Sequence, residues 1–232
     1  MKVDTKDLMN SILESLSRLE YIHLDEIPGI DLYMDQVTTL MDNKLRSTTR
    51  YPKEDKILTK TMINNYAKND LLPPPVKKKY TREHVLVLIF IYYFKGILSI
   101  GDIQTLLQPI TDKYFGKESG FRIQDVYEEV FRLEPDEIEV LKNDMLDKYK
   151  KSRDTFQQVP EEEREFLQQF SFICLLSYDV YIKKLLIEKM IDEMKMNAIR
   201  VDAKAVKKNN AQVKQDKKNN VTTKKKRKER EK

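Results

Sequence analysis

Cysteine, tryptophan, histidine and glycine are all scarce in this chain, which holds one Cys, no Trp, two His and five Gly among 232 residues. A single thiol cannot form an intrachain disulfide, so a disulfide scaffold is excluded and a reducing compartment fits. That thiol, Cys174, sits in the apolar run SFICLLSY without a basic neighbour to activate it, which predicts a buried inert side chain. His23 and His84 have no cysteine or acidic partners at metal-ligand spacing, so no metal site is expected. With so little glycine there is no phosphate-cradling loop, and neither Gly-x-Ser-x-Gly nor His-Glu-x-x-His occurs. The expectation is therefore a non-enzyme with no cofactor. Long apolar runs are missing too. The most apolar window, Val85 to Phe94, ends at Lys95 and is about half of the roughly 20 residues that a bilayer span requires. The start MKVDTKDLMN is polar, with no secretory signal visible. A cytoplasmic protein with no membrane partner is expected.

What is present is charge, unevenly spread. Net charge is +5, yet residues 204–232 alone hold 13 basic and 3 acidic groups, leaving the preceding residues at −5. Residues 46–82 hold 10 basic and 3 acidic groups, a basic island in an acidic body, and such an island locates where a polyanion could sit.

Apolar spacing predicts helices almost throughout. Leu8, Met9, Ile12, Leu13, Leu16 and Leu19 lie at helical spacing behind Asp4. Pro28 and Gly29 mark a turn, and a short helix follows at about 35–43, with Asp35 as its cap and Val37, Leu40 and Met41 inward. Residues 44–57 lack periodicity and carry Arg46, Arg50, Lys53 and Lys56, which predicts a basic loop. Thr59 or Thr61 caps the next helix, closed by Asn69 and Asp70, residue types that tolerate the left-handed conformation. Pro73, Pro74 and Pro75 hold the chain extended. Thr81 begins a strongly apolar helix, Ser99 caps another, and Pro109 is expected to stop that one. Beyond it, Ile123, Val126, Val130 and Leu133 form one stripe, and Ile138, Leu141, Met145 and Tyr149 another behind Pro135. Pro160 opens a long helix with Glu161, Glu162 and Glu163 in its first turn, where the dipole favours acids. Its middle, Phe170 to Tyr181, is apolar almost all round. The two helices flanking Pro160 are expected to form an antiparallel hairpin. From about residue 199 the chain lacks apolar anchors, which predicts disorder.

The segment from Ile57 to Leu107 carries the only readable chemistry. A capped polar helix, a proline turn, the triplet Lys77, Lys78 and Lys79, then Tyr80 and an apolar helix follow in the order that a winged helix-turn-helix needs. Thr59, Lys60 and Thr61 stand at a helix N-terminus, where phosphates meet unpaired N–H groups. Asn64 and Asn65 come one turn later, and asparagine bonds bidentately to adenine in the major groove. Tyr66, Lys68 and Tyr80 complete the expected DNA-contact set, with Lys77, Lys78 and Lys79 on the wing. The competing interpretation is a solvated charged loop beside a polar helix face.

Here the sequence resembles a known pattern. TKTMINNYAKNDLLPPPVKKKY is similar to the MerR-type winged helix-turn-helix. Ile63 and Tyr66 match its recognition helix, Leu71, Leu72, Pro73 and Pro74 that helix's end, and Lys78 and Tyr80 its wing. Leu98, Ser99, Ile100, Asp102, Ile103 and Leu107 resemble the helix that follows the wing in that family. Asn64, Ala67 and Asp70 depart from it, standing where MerR proteins carry Arg, Glu and Gly. More closely, Asp35, Gln36 and Val37 with TKTMINNY, PPPVKKKY and LSIGDI resemble the bacterial domain-of-unknown-function family 1836 over about residues 20–190.

The expected architecture is all-α with a small wing. It comprises an N-terminal amphipathic helix (1–30), a MerR-like winged helix-turn-helix (31–108), an acidic helical domain with a long hairpin (109–198) and a disordered basic tail (199–232). The expected function is sequence-specific double-stranded DNA binding by a transcription regulator, through recognition helix 59–69 and wing 73–80. The alternative is a protein-interaction module of the same fold that does not bind DNA. A homodimer through 135–195 is expected, because one hairpin partner cannot cover the apolar middle of the long helix.

Overall fold

The structure, a computed structural model, describes Ser11, Glu14 and residues 22–228, with backbone alone for 134, 135 and 201–228. The predicted N-terminal helix falls almost entirely outside the described residues. The chain divides into two units, residues 1–186 and 187–232.

The first unit begins with a short 3-10 turn, Leu24–Glu26, and a two-residue strand, β1 (Leu32–Tyr33). β1 runs directly into α1 (Met34–Leu45), whose Val37, Met41 and Leu45 are buried at steps of four. The cap lies two residues earlier than Asp35: the Tyr33 N–H donates to Gln36 Oε1 at 2.8 Å. The Asp35 carbonyl accepts from the hydroxyls of Thr38 and Thr39. The basic loop that follows is pinned from within. Arg46 Nε donates to Asp42 Oδ2 at 2.9 Å and Nη1 to the Asp55 carbonyl at 3.1 Å.

α2 (Lys60–Lys68) starts where Thr59 Oγ1 accepts from the Met62 N–H at 3.1 Å. It ends as its sequence foretells: Asp70 is left-handed, at φ +54°, and the N–H groups of Leu71 and Leu72 both return to the Tyr66 carbonyl. The proline run leads to a turn closed by Lys79 N–H to Val76 O at 2.9 Å, then to β2 (Lys79–Tyr80). β2 pairs antiparallel with β1, setting Leu32 opposite Tyr80 and Tyr33 opposite Lys79.

α3 (Arg82–Phe94) is the centre of the core. Its eight residues His84 to Ile91 are all buried, so the helix is covered on every side. α4 (Ile100–Tyr114) is capped by Ser99, whose Oγ accepts from the Asp102 N–H at 3.2 Å. It corrects one expectation, because it continues through Pro109. Pro109 lies on the exposed side, where the one carbonyl left without an N–H can be met by water, so the proline costs less than in a buried turn. The proposed boundary at 108 thus falls inside a helix.

α5 (Ile123–Phe131) then packs onto α3 and completes the core of residues 22–131. Its buried residues are Ile123 and Tyr127, while Val130 is 50% exposed and Leu133 59%. The inward stripe is turned from the expected Ile123–Val126–Val130–Leu133 because an aromatic cluster claims the other side. Phe90 places its ring 5.6 Å from Tyr127 and 5.6 Å from Phe131. The Tyr127 hydroxyl donates to the Ile22 carbonyl at 2.7 Å, tying the last helix of this core to its first residue.

α6 (Glu134–Arg153) and α7 (Glu161–Lys228) form the expected antiparallel hairpin. At its closed end the buried Gln168 amide donates to the carbonyls of Arg153 at 2.7 Å and Thr155 at 3.0 Å. Further along, Tyr149 meets Phe172 edge-on at 5.7 Å and Lys148 lies 3.6 Å from Asp179. Cys174 is exposed, not buried, because α6 covers only the opposite side of α7. The second unit, 187–232, carries the rest of α7, which stays helical to Lys228 where disorder was expected. No Gly or Pro follows Pro160, so nothing in the sequence breaks the helix. Among the described residues, no helix is long and apolar enough to cross a membrane.

Candidate nucleic-acid interface

α2 is nine residues long, and its two faces are unlike. Ile63 and Tyr66 point into the core, whereas Lys60, Thr61, Asn64, Asn65 and Lys68 lie toward solvent. At 100° per residue those five positions form one continuous polar stripe. Thr59 is half-buried and spends its hydroxyl on the cap. Lys60 forms an ion pair with Asp35 of α1, so part of its charge is already met within the fold. Asn69 extends the helix end by donating from its side chain to the Asn65 carbonyl at 2.8 Å.

The lysine triplet occupies the turn between the proline run and β2. Lys77 and Lys78 have φ of +51° and +63°, so both central residues are left-handed and the turn is of the hairpin type I′ class. Glycine or asparagine is the ordinary occupant there. Two lysines at such positions accept backbone strain to hold two exposed cations side by side. Lys79 folds back, its Nζ 5.5 Å from the centre of the Tyr33 ring. Tyr33 is 56% exposed and belongs to this surface, although the sequence did not single it out. The only signal would have been an aromatic just before a helix, which by itself is weak.

Two expected contact residues are placed elsewhere. Tyr66 and Tyr80 are 7% and 3% exposed and serve the core. Burial pushes both phenols up in pKa, as expected for rings withdrawn from water. The reason is local: Tyr66 shares the inward face with Ile63, and Tyr80 points from β2 toward the His84 ring, 5.5 Å away.

His84 is the structural histidine of this region. Its Nδ1 accepts from the Thr81 N–H at 3.0 Å, capping α3, and its ring is flanked edge-on by Tyr80 and by Phe115 at 4.8 Å. Burial holds its pKa below the ordinary value, outweighing the carbonyls of Pro73 and Pro74 and the Asp31 charge, which favour protonation. Those carbonyls act as a field only, since Nε2 has no hydrogen bond of ordinary geometry. Other members of the basic surface are likewise structural. Arg82 donates to the Ile27 carbonyl at 2.9 Å and Lys95 to the Ile57 carbonyl at 2.6 Å, where burial lowers the lysine pKa.

Residues 22–130 match the model of a protein family described as Domain of unknown function (DUF1836). The matched span coincides with the core that Ile22 and Tyr127 close, and it ends well before the 190 expected from the motifs. No curated protein and no solved structure gives a significant match.

Proposed function

We propose that the core of residues 22–131 is a MerR-like winged helix-turn-helix that binds double-stranded DNA and regulates transcription. α1 and α2 are then the helix pair, and Val76–Lys79 is the wing. The observation that carries this reading is the exposed stripe of α2, two asparagines between a capped N-terminus and Lys68, on a helix whose other face is anchored in the core. Asn64 and Asn65 read base edges, while Thr61, Lys68, Lys77 and Lys78 meet phosphate. Lys60 and Lys79 contribute in part, the first held by Asp35 and the second drawn toward Tyr33. Tyr66 and Tyr80 hold the helix and the wing in place from inside. The basic residues beyond 204 add attraction without sequence preference.

Fluorescence anisotropy on a panel of duplexes at two salt concentrations tests the proposal. Replacing Lys77, Lys78 and Lys79 by Ala weakens binding to every duplex and lowers the salt slope by about one unit for each phosphate no longer neutralised. Asn64→Ala or Asn65→Ala instead narrows the difference between duplexes, by about 1–3 kcal/mol per base pair read. If neither set changes binding, the winged helix is not the reader.

A second reading, a protein-docking module of the same fold, is favoured by one feature. An open cleft of about 490 Å³ beside α1 is lined by Pro28, Ile30, Leu32 and Leu40, with Ile30 69% exposed. Retained affinity for a protein ligand together with absent duplex binding would select it.

A further inference from the structure

On the first unit's part of α7, Phe166, Phe170, Ile173 and Val180 are 68%, 54%, 57% and 64% exposed, with Tyr181 beside them. With Ser177 these residues recur at steps of four, three, four and three, the seam spacing of a coiled coil. α6 does not cover this seam. It meets α7 through Gln168, Phe172 and Asp179, which at 100° per residue lie on the opposite side.

The charges at the ends of the seam say what fits it. Its N-terminal end carries Glu161, Glu162 and Glu163, and its C-terminal end carries Lys183 and Lys184, all exposed. A second α7 laid parallel would set glutamates against glutamates and lysines against lysines. Laid antiparallel, the same surface complements itself, as an interface with twofold symmetry requires. The register that brings Phe170 of one copy opposite Ile173 of the other also brings Phe166 opposite Ser177. It places Glu162 beside Lys183 at both ends. The apolar side chains involved offer on the order of 600 Å² per copy, near the roughly 800 Å² per partner of a standard interface.

We propose that this face of α7 is covered by the α7 of a second copy of the chain, packed antiparallel with the two α6 helices outermost. Sedimentation of the full chain at micromolar concentration, without nucleic acid, tests it, and the duplex-binding reading stands or falls separately. The expected mass is twice the 27.6 kDa of the chain. Phe170→Glu, at an exposed site, keeps the helical circular dichroism and weakens association at least tenfold. Glu162→Lys weakens it as well, and adding Lys183→Glu in the same chain restores it, a rescue that only the antiparallel arrangement permits. A monomeric wild type, as would result if residues 1–21 covered the seam within one chain, overturns the proposal. So does a dimer indifferent to Phe170→Glu, or one that the double exchange fails to rescue.

Discussion

α3 and the middle of α7 are the two most apolar helical stretches of the chain, and they meet opposite fates. His84 to Ile91 is buried without interruption, enclosed by β2, α4 and α5 among its neighbours. From Phe166 to Tyr181, α7 leaves most of its large side chains in water, because among the described residues α6 alone is seen to pack against it. The difference is one of supply. A helix that is apolar all round needs several neighbours, and among the described residues α3 has them where the middle of α7 does not. Hydrophobicity along a sequence reports a need for cover. It does not report whether the same chain provides it.

The largest effect expected from this contrast is in folding stability. Leu88→Ala removes a side chain with no exposure and destabilises the first unit by about 2–5 kcal/mol, read from urea unfolding. Phe170→Ala, at dilution low enough to leave the chain alone, shifts stability by no more than about 0.5 kcal/mol. Equal losses at the two sites would break the comparison. Gln168→Ala is expected to cost about 1–3 kcal/mol, because two carbonyls at the hairpin's closed end lose their donor. Hydrogen exchange should show that loss confined to α6 and the start of α7. Faster exchange in α3 as well would mean that the two regions unfold together.

A smaller effect separates the regions by pH. His84 has a folded pKa held below its ordinary value near 6.5, so the unfolded chain binds the proton more readily. The stability it contributes is therefore present above pH 6.5 and is lost as pH falls through the folded value. His84→Phe should flatten the decline between neutral and mildly acidic pH in the core of residues 22–131 and leave the hairpin unaffected. Thermal melts across that range followed by tyrosine signal check this, and an unchanged profile would remove His84 from the account. The smallest effect lies at the lysine turn between Val76 and Lys79. Lys78→Gly relieves a left-handed lysine and should raise stability by up to about 1 kcal/mol. The same change lowers duplex affinity if the turn is held strained for the sake of its charge. A melting temperature that falls would show that the strain is not real.

Much of the core of residues 22–131 is legible in the sequence, because its signals are local. Thr59 and Ser99 are caps, Asp70 is the left-handed stop, and α3 follows from composition alone. The rest depends on neighbours distant along the chain. Tyr66 and Tyr80 carry an apolar body and a polar tip, so spacing does not say which end will matter. The inward side of α5 is set by Phe90, over thirty residues away, and the exposure of Cys174 by the limited reach of α6. Pro109 stops a helix or rides along it according to the side it occupies, and that side is known only once the helix is packed. For the candidate site, the stripe Lys60, Thr61, Asn64, Asn65 and Lys68 is readable from helical period. Tyr33 is not, since its place beside Lys79 follows from strand register.

The bond from the Tyr127 hydroxyl to the Ile22 carbonyl joins residues 105 apart in sequence, and that separation has a kinetic meaning. Closing so long a loop is slow in comparison with winding the helices between its ends, which need only local interactions. During synthesis, β1, α1, α2 and α3 can emerge and take shape while Ile22 still waits for its partner, and the aromatic side of α3 stays open until α5 arrives. A nascent chain halted short of Tyr127 would expose Phe90 and its neighbours to whatever lies nearby. For this protein, the vulnerable interval of folding ends with the arrival of one tyrosine near the far end of the core of residues 22–131.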